Sequence, residues 1–411
     1  MLAIHPSSAN PRIADLIARR RPGWSLEQPF YTDGDVFAAD LERVFRRNWL
    51  FAGHANRIPQ AGDYFLHDFA GDSLIFIRGD DGEVRGLFNM CRHRGSHICL
   101  ELAGQTRKLV CPYHQWVYEK DGSLAAAPGM PPDLDRGEFG LFPVATRVVA
   151  GMIFICFAKE PPDFTGIGEA IHGHLKPYEL GRAKICHTRT YQVRANWKLM
   201  EENFRECYHC PVGHPEYCRV AMPQGESPEE IAAYRVAQHE RWARSGLSLL
   251  DIGFTAENGF HCARYPMRPG FVTESLDGQP VAPLLGRLSE PDAGILAIVM
   301  FPNFWFEASA DYACSMRRTP LSPTLCEVEA TWLVHPDAVE GQDYDVERVT
   351  AFWRITGEQD WTLCENNQAG VNSSRYVPGP YAPAERGPET FVRWYLRALA
   401  GEHEREPASA R

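Results

Sequence analysis

Two short segments of the sequence each combine one cysteine with one histidine. Cys91 and His93 are two positions apart, Cys111 and His114 are three positions apart, and seventeen residues lie between His93 and Cys111. Two such turns facing each other can hold a 2Fe-2S cluster, with both cysteines on one iron and both histidines on the other. Because neutral imidazoles raise the reduction potential above that of an all-cysteine cluster, these residues predict a one-electron carrier.

A structural zinc site is the alternative for the same four residues, since tetrahedral zinc also takes two cysteines and two histidines. Zinc modules usually pair Cys with Cys and His with His, whereas each of these turns is mixed. Pro112, Tyr113 and Trp116 stand beside the second pair and can shield the sulfurs from water. The pattern therefore favours the iron–sulfur cluster.

A second candidate metal site lies further along the chain, where His209 and His214 are five positions apart. Pro211 and Gly213 break a helix at this point, so both imidazoles can turn to one place. Two histidines and one carboxylate bind Fe(II) and leave positions open for dioxygen and substrate. We expect Asp360, on a predicted C-terminal helix, to supply the carboxylate. The histidines could also be hydrogen-bonded core residues, but a one-electron carrier in the same chain favours a mononuclear iron that uses the electrons.

The elements that must position these residues fall into two regions, preceded by an N-terminal helical segment (1–48) that we expect to pack on the second region. Residues 49–160 are predicted to form an antiparallel β domain, with strands at 64–69, 73–78, 84–89, 117–119 and 152–157. Residues 161–411 are predicted to contain both helices and strands. There we predict helices over 196–208, 346–373 and 388–400 and strands at 295–301, 304–308, 312–317 and 326–335. The charged tail after Gly401 is predicted to lack regular structure.

Size, charge and cysteine content restrict the class of protein. A chain of 411 residues exceeds one ordinary core and predicts two or three domains. The net charge of -11 argues against a nucleic-acid partner, because no surplus of Lys and Arg is available to neutralise phosphates. No apolar run suits a secretory signal or a membrane anchor. Twelve cysteines without a disulfide framework spacing, two of them assigned to the cluster, favour a cytoplasmic protein.

Both metal motifs, in this order, resemble the oxygenase alpha component of Rieske non-heme iron oxygenases, and the resemblance covers nearly the whole chain. It implies an α+β fold, with an N-terminal all-β Rieske domain followed by a helix-grip (StAR-related-like) catalytic domain built on a curved antiparallel sheet. It also implies the ligands of the two metal centres. The 2Fe-2S ligands would be Cys91, His93, Cys111 and His114, and the mononuclear Fe(II) ligands would be His209, His214 and Asp360.

Glu206 stands three residues before His209, where most ring-hydroxylating members of the family carry aspartate. With residues 196–198 and 202–203, it resembles the branch that oxidises quaternary ammonium compounds: glycine betaine and stachydrine demethylases and choline and carnitine monooxygenases. The resemblance implies that Glu206 accepts hydrogen bonds from histidines of both metal centres and bridges them for electron transfer. In this family the bridged cluster belongs to a neighbouring subunit, which implies a homotrimer.

The resemblance further implies a reaction. A monooxygenase of the stachydrine or glycine betaine type would oxidise an N-methyl group and release formaldehyde, with dioxygen as co-substrate. Electrons would come from NAD(P)H through a flavin and iron–sulfur reductase. A ring-hydroxylating dioxygenase of an aromatic acid is the alternative enzyme, and a Rieske electron-transfer protein without mononuclear iron is the alternative from another class.

A methylated cation cannot be hydrogen-bonded at nitrogen, so we expect aromatic faces to recognise it. Five aromatic residues on or beside the predicted strands are candidates for this pocket, although such residues are also common in cores: Phe301, Phe304, Trp305, Phe306 and Tyr312. Strand alternation sends Phe304 and Phe306 to one face and Trp305 to the other, without deciding which face lines the cavity. Four arginines are candidates for binding a substrate carboxylate: Arg205, Arg264, Arg317 and Arg318.

Overall fold

The computed structural model describes residues 11–221 and 226–401, so the predicted charged tail lies outside the described residues. The helices are α1 (Pro11–Ala18), α2 (Pro29–Thr32), α3 (Gly34–Ala39), α4 (Thr165–Leu175), α5 (Trp197–Asn203), α6 (Cys210–Gly213), α7 (Pro215–Ala221), α8 (Pro228–Arg244), α9 (Val346–Val371) and α10 (Arg386–Ala400). A π-helical turn, Asp40–Phe45, follows α3.

The strands fall into two groups along the chain, one between α3 and α4 and one after α4. The first group is β1 (Leu50–His54), β2 (Asp63–Phe69), β3 (Asp72–Arg78), β4 (Val84–Phe88), β5 (Ala103–Gln105), β6 (Leu109–Val110), β7 (Val117–Tyr118), β8 (Leu124–Ala126), β9 (Pro143–Val149) and β10 (Met152–Cys156). The second group is β11 (Lys184–Val193), β12 (Phe260–Tyr265), β13 (Ile295–Met300), β14 (Phe304–Ala308), β15 (Ala313–Ser322) and β16 (Leu325–Val334).

The first group forms an all-β region of antiparallel strands, as the sequence predicts. A seven-stranded sheet runs in the order β1-β10-β9-β4-β3-β2-β5, and a three-stranded sheet runs in the order β6-β7-β8. The β3–β4 hairpin turns at Gly82, whose φ of +83° is favourable for glycine alone. The second cluster turn, 111–116, joins β6 to β7 and is therefore held by short, mutually paired strands.

The second group forms a six-stranded antiparallel sheet in the order β11-β16-β15-β14-β13-β12, which confirms the predicted fold class. Alternate side chains of β14 enter different cores. Trp305 packs on Trp353 of α9, with ring centroids 4.5 Å apart. Phe304 and Phe306 instead belong to the core that contains Ile171 of α4. The long helix thus covers the face of the sheet to which Trp305 points.

The long helix α9 matches the helix predicted over 346–373 almost residue for residue. Asp345 caps its start by accepting a hydrogen bond from the amide of Arg348 at 2.9 Å. Buried positions recur every three or four residues, including Phe352, Thr356 and Asp360. This periodicity brings Asp360 to the face of α9 that packs on the rest of the domain.

The N-terminal segment lies against α5 and α10. Asp40 forms an ion pair with Lys198 of α5, and both side chains are 0% exposed. Asp40 also accepts hydrogen bonds from Trp197 Nε1 at 3.0 Å and from Tyr395 Oη of α10 at 2.7 Å. Burial raises the pKa of Asp40 and lowers that of Lys198, because desolvation favours the neutral form of each side chain. This cost partly offsets the attraction within the ion pair. The domain boundaries expected after residues 48 and 160 remain a prediction.

We expect Asp40→Ala to lower the free energy of unfolding by about 3 to 5 kcal/mol, because it leaves Lys198 charged and unpaired in the core. Thermal denaturation followed by circular dichroism measures the effect. Glu365→Ala is the matched control, since its partner Arg194 is 81% exposed and such pairs contribute about 0 to 1 kcal/mol. Equal shifts in the two variants would contradict the assigned role of Asp40.

Candidate functional site

The two predicted cluster turns have the same backbone hydrogen bonds. The amides of Cys91 and Cys111 each donate to the carbonyl oxygen five residues later, at 2.8 Å. The amides of Gly95 and Gln115 donate back to the two cysteine carbonyls at 2.9 and 3.1 Å, with φ angles of +78° and +59°. The turns are therefore structural equivalents that present one cysteine and one histidine each.

The side chains of these turns face one another. Cys91 and Cys111 are 2% and 1% exposed, and the rings of His93 and His114 are 4.6 Å apart. His93 also stacks on Trp116 at 4.9 Å. Its Nδ1 is buried without a hydrogen-bond partner among the described residues. A buried imidazole nitrogen left free beside two buried thiols fits a metal cluster, which would take that nitrogen as a ligand.

Hydrogen-bond donors surround the two sulfurs. The pKa of Cys111 is lowered overall, because the amides of Tyr113 and His114 outweigh the effect of burial, which raises it. Burial raises the pKa of Cys91, whose sulfur lies 3.2 Å from the Tyr118 hydroxyl. Amide and hydroxyl groups aimed at sulfur are the groups that tune an iron–sulfur cluster.

The structure brings His209, His214 and Asp360 together. His214 Nε2 lies 2.9 Å and His209 Nε2 lies 3.3 Å from Asp360 Oδ1, and the two Nε2 atoms are 3.1 Å apart. His214 and Asp360 are 2% and 4% exposed. Two imidazole nitrogens and one carboxylate oxygen at one point, with all three ligand atoms within 4.8 Å of one another, form the donor set that Fe(II) takes in non-heme sites.

The remaining imidazole nitrogens are held by two neighbouring side chains. Glu206 Oε1 lies 2.6 Å from His209 Nδ1, and Gln359 Oε1 lies 2.7 Å from His214 Nδ1. These contacts place the Nδ1 protons and turn both Nε2 atoms towards Asp360. Burial lowers the pKa of His209, but Asp360 and Glu206 outweigh it and raise that pKa to about 9. With both imidazoles neutral, as metal ligands require, the carboxylates of Asp360 and Glu206 leave negative charge that a divalent cation would balance.

The helix predicted over 196–208 is shorter in the structure, and Glu206 shapes the turn that follows it. Helix α5 ends at Asn203, and the carboxylate of Glu206 accepts hydrogen bonds from the amides of Tyr208 and His209, the latter at 3.4 Å. Side-chain capping of these amides replaces their bonds to the preceding helical carbonyls. The turn that results carries His209 out of the helix and towards His214, so the helical prediction for 204–208 is wrong.

A small cavity of about 70 Å³, which we call the inner cavity, adjoins the three predicted ligands His209, His214 and Asp360. Its aromatic lining residues are Phe204, Tyr217, Trp305 and Trp353, and Glu307 and Cys207 also contact it. A larger cavity of about 470 Å³, which we call the outer cavity, shares Cys207, Tyr217 and Glu307 with the inner one. The two cavities meet at these shared residues, and together they lead towards the ligands.

The five aromatic residues predicted for the substrate pocket lie in different parts of the structure. Trp305 lines the inner cavity, as alternation allows for one face of β14. Phe304 and Phe306 point to the opposite face, are 0% exposed and line neither the inner nor the outer cavity. Phe301 stacks on Phe254 at 4.8 Å, and Tyr312 donates its hydroxyl proton to the carbonyl of Glu274. Both are core residues, and neither lines the inner or the outer cavity.

The four candidate arginines also lie outside the inner and outer cavities. Arg318 pairs with Glu201 at 2.6 Å, and Arg317 donates to the carbonyl of Ala52 at 2.5 Å. Arg264 donates to the Tyr178 hydroxyl at 2.8 Å. The Arg205 guanidinium lies over the ring of Phe254 at 5.3 Å. These guanidinium groups have structural partners and do not meet a ligand at the cavity wall.

Sequence reasoning missed several residues of this site. Trp353 lies seven positions before Asp360, and this spacing of two helical turns indicates the shared face. Glu307 lies two positions after Trp305 on β14, so strand alternation gives it the same face. The structure also joins Cys207 and Cys210 in a disulfide on either side of His209. A Cys-x-x-Cys spacing was the available signal for that pair.

Comparison with known proteins identifies the family. The model for the Rieske [2Fe-2S] domain matches residues 48–147, and the model for the catalytic domain of ring-hydroxylating alpha subunits matches residues 180–401. The chain belongs to the Rieske non-heme iron oxygenases. The glycine betaine monooxygenase oxygenase subunit of Chromohalobacter salexigens is 38% identical to this Rieske oxygenase, covering 98% of this chain and 92% of its own. The corresponding subunit of Pseudomonas aeruginosa is 36% identical, covering 98% and 95%.

Solved structures show the same fold for this Rieske oxygenase. The quaternary ammonium Rieske monooxygenase CntA aligns with a TM-score of 0.70 and 18% identity, covering 95% of this chain and 98% of its own. Family membership excludes the zinc module and the simple electron carrier, since the Rieske and catalytic iron domains are both present. Along the described part of the chain, the helices are too short or too polar to cross a membrane.

Proposed function

We propose that this Rieske oxygenase oxidises an N-methyl group of a quaternary ammonium compound of the glycine betaine or stachydrine type. The inner cavity carries the proposal, because Tyr217, Trp305 and Trp353 wall the space beside the predicted iron ligands. Aromatic faces attract a desolvated methylated cation by about 0.5 to 2 kcal/mol per contact. The relatives that align over nearly the whole chain are named as glycine betaine monooxygenase subunits, which agrees with this substrate class.

The chain's residues have distinct parts in this reaction. Cys91, His93, Cys111 and His114 would hold the 2Fe-2S cluster, and His209, His214 and Asp360 would hold Fe(II). When bound, these groups supply one-electron transfer and dioxygen activation. The aromatic walls place one N-methyl carbon near the ligands and exclude water, while Glu206 and Gln359 keep the imidazoles oriented. The hydroxylated N-methyl product then loses formaldehyde and a proton, leaving a tertiary amine.

The proposal includes two protein partners. Electrons would come from an NAD(P)H-dependent flavin and iron–sulfur reductase. A homotrimer would bring the cluster turns of one chain to Glu206 of the next, and the exposed apolar side chains of Leu100 and Tyr113, near the turns, suit such a contact. A third cavity of about 340 Å³ contacts Glu206 and His209 and would receive the neighbouring chain. Light scattering of the purified protein tests the trimer and should give three times the mass of one chain.

We expect the purified oxygenase, supplied with a Rieske-oxygenase reductase and NADH, to release about one formaldehyde per NADH from a quaternary ammonium substrate. Formaldehyde and NADH are measured in parallel across glycine betaine, stachydrine, choline, carnitine and a set of aromatic acids. The carbon isostere 3,3-dimethylbutanoate is the control, because it has the shape of glycine betaine without an N-methyl group. Diol formation from an aromatic acid, with no formaldehyde from any quaternary ammonium compound, would support the dioxygenase alternative instead.

A further inference from the structure

Glu307 stands at the junction of the inner and outer cavities. It lies on β14, two positions after Trp305, and both residues line the inner cavity. Its Oε2 atom has no hydrogen-bond partner among the described residues. A carboxylate oxygen without a partner in a site walled by aromatic rings is costly unless a ligand balances it. Its position therefore indicates a cationic ligand.

A second carboxyl group determines the charge of Glu307. Glu274, which is 1% exposed, lies within hydrogen-bonding range of Glu307. Burial and the charge of Glu307 raise the pKa of Glu274 far above its usual range. Burial raises the pKa of Glu307 to about 7, while the hydrogen bond with Glu274 and the attraction of Arg205 lower it. The two neighbouring carboxyl groups therefore resist carrying two negative charges, and a shared proton leaves the pair with a single negative charge beside the inner cavity.

The anion and the aromatic rings are arranged around the same space. Trp353 and Trp305 meet edge to face at 4.5 Å, and Tyr217 lies 6.0 Å from Trp353. Aromatic faces attract a methylated cation through the ring quadrupole, by about 0.5 to 2 kcal/mol per contact, and a neutral group of the same shape lacks this attraction. A carboxylate in a low-dielectric wall adds to the discrimination, because its attraction also depends on charge.

We propose that Glu307 is a positioning residue whose carboxylate is the counter-ion of the quaternary ammonium group. The inference rests on the proposed function and deepens it. From the junction, Glu307 would attract the cation out of the outer cavity and hold it against Trp305, with an N-methyl carbon directed to His209, His214 and Asp360. The residue would thereby add charge selection to that of the aromatic rings, which also select shape.

The experiment compares two ligands of nearly equal shape, glycine betaine and 3,3-dimethylbutanoate, which differ in the charge of the central atom. Calorimetric titration of the oxidised, metal-loaded protein measures binding without turnover. In the wild type, glycine betaine should bind more tightly than the isostere. In Glu307→Gln the affinity for glycine betaine should fall by roughly ten- to a hundredfold, while that for the isostere stays the same or rises. Glu307→Asp should restore part of the preference.

The ratio of the two affinities is measured within each variant, so a partly misfolded sample does not change it. Glu327→Gln, a half-buried glutamate on the same sheet that lines neither the inner nor the outer cavity, is the matched control and should keep the wild-type ratio. An unchanged ratio in Glu307→Gln, or an equal loss of affinity for both ligands, would overturn the role of Glu307 alone. A wild type that binds no quaternary ammonium compound would overturn the proposed function itself.

Discussion

Replacing His209 or Asp360 with alanine should abolish turnover and remove the mononuclear iron while leaving the spectrum of the 2Fe-2S cluster intact. The expected loss exceeds about a hundredfold, since even a residue that only orients a metal ligand is worth 10- to 100-fold in affinity or activity. The separation follows from the fold. The predicted cluster ligands lie on turns beside β4 and between β6 and β7, whereas His209 and Asp360 belong to the region built on the six-stranded sheet.

Iron and sulfide analysis with visible and paramagnetic resonance spectra provides the measurement. The wild type should contain about three irons and two sulfides per chain, and both variants about two of each. Glu358→Ala is the matched control on α9, because its side chain pairs with Arg189 at 3.2 Å and is 40% exposed. Loss of the cluster spectrum in His209→Ala or Asp360→Ala would contradict the division into two separate metal centres.

Glu206→Ala, supplied with excess iron, should keep both metal centres and still lose turnover by at least the roughly 10- to 100-fold that removal of an orienting residue causes. Glu206 holds His209 Nδ1 at 2.6 Å and contacts the cavity proposed to receive the neighbouring chain's cluster turns. Its removal therefore cuts the proposed connection between the two centres without removing a ligand. Stopped-flow measurement of cluster oxidation, with iron content determined on the same sample, separates slow electron transfer from lost metal.

Gln359→Ala distinguishes a bridge from a side chain that only orients a ligand. Gln359 holds His214 Nδ1 at 2.7 Å, as Glu206 holds His209, but it does not contact the third cavity. Its loss should weaken iron binding by about 10- to 100-fold, and excess iron should restore turnover. If excess iron also restored Glu206→Ala to the wild-type rate, Glu206 would have an orienting role and not a bridging one.

The sequence is most informative for residues that a metal ion would require at fixed spacings, such as the two histidines and the aspartate. The expected helix break at Pro211 and Gly213 is wrong, because both residues lie within the short helix α6, and His209 and His214 come together as its N-cap and C-cap. The long helix was clear enough to place Asp360 on a buried face. Strand alternation separated Trp305 from Phe304 and Phe306, but only the packing of α9 on the sheet shows which face meets the cavity. Which face of a strand lines a pocket depends on the elements that pack against it, and these are distant in sequence.

Other features depended on tertiary contacts that no local pattern encodes. Glu274 lies in a loop before β13, so its pairing with Glu307 could not be read from spacing. The turn after α5 depends on Glu206 accepting hydrogen bonds from the amides of Tyr208 and His209, a competition that helix propensity does not describe. The burial of Asp40 against Lys198 likewise requires the N-terminal segment to meet α5.

A single-turnover reaction tests the central claim most directly: one iron centre stores the electron that the other uses on dioxygen. Chemically reduced protein, freed of reductant, is mixed with glycine betaine and dioxygen, and the cluster signal and formaldehyde are followed in the same sample. We expect formaldehyde to appear as the reduced-cluster signal is lost, and no formaldehyde from His209→Ala. Cluster oxidation without formaldehyde in the iron-replete wild type across the quaternary ammonium panel, or formaldehyde from His209→Ala, would contradict the account.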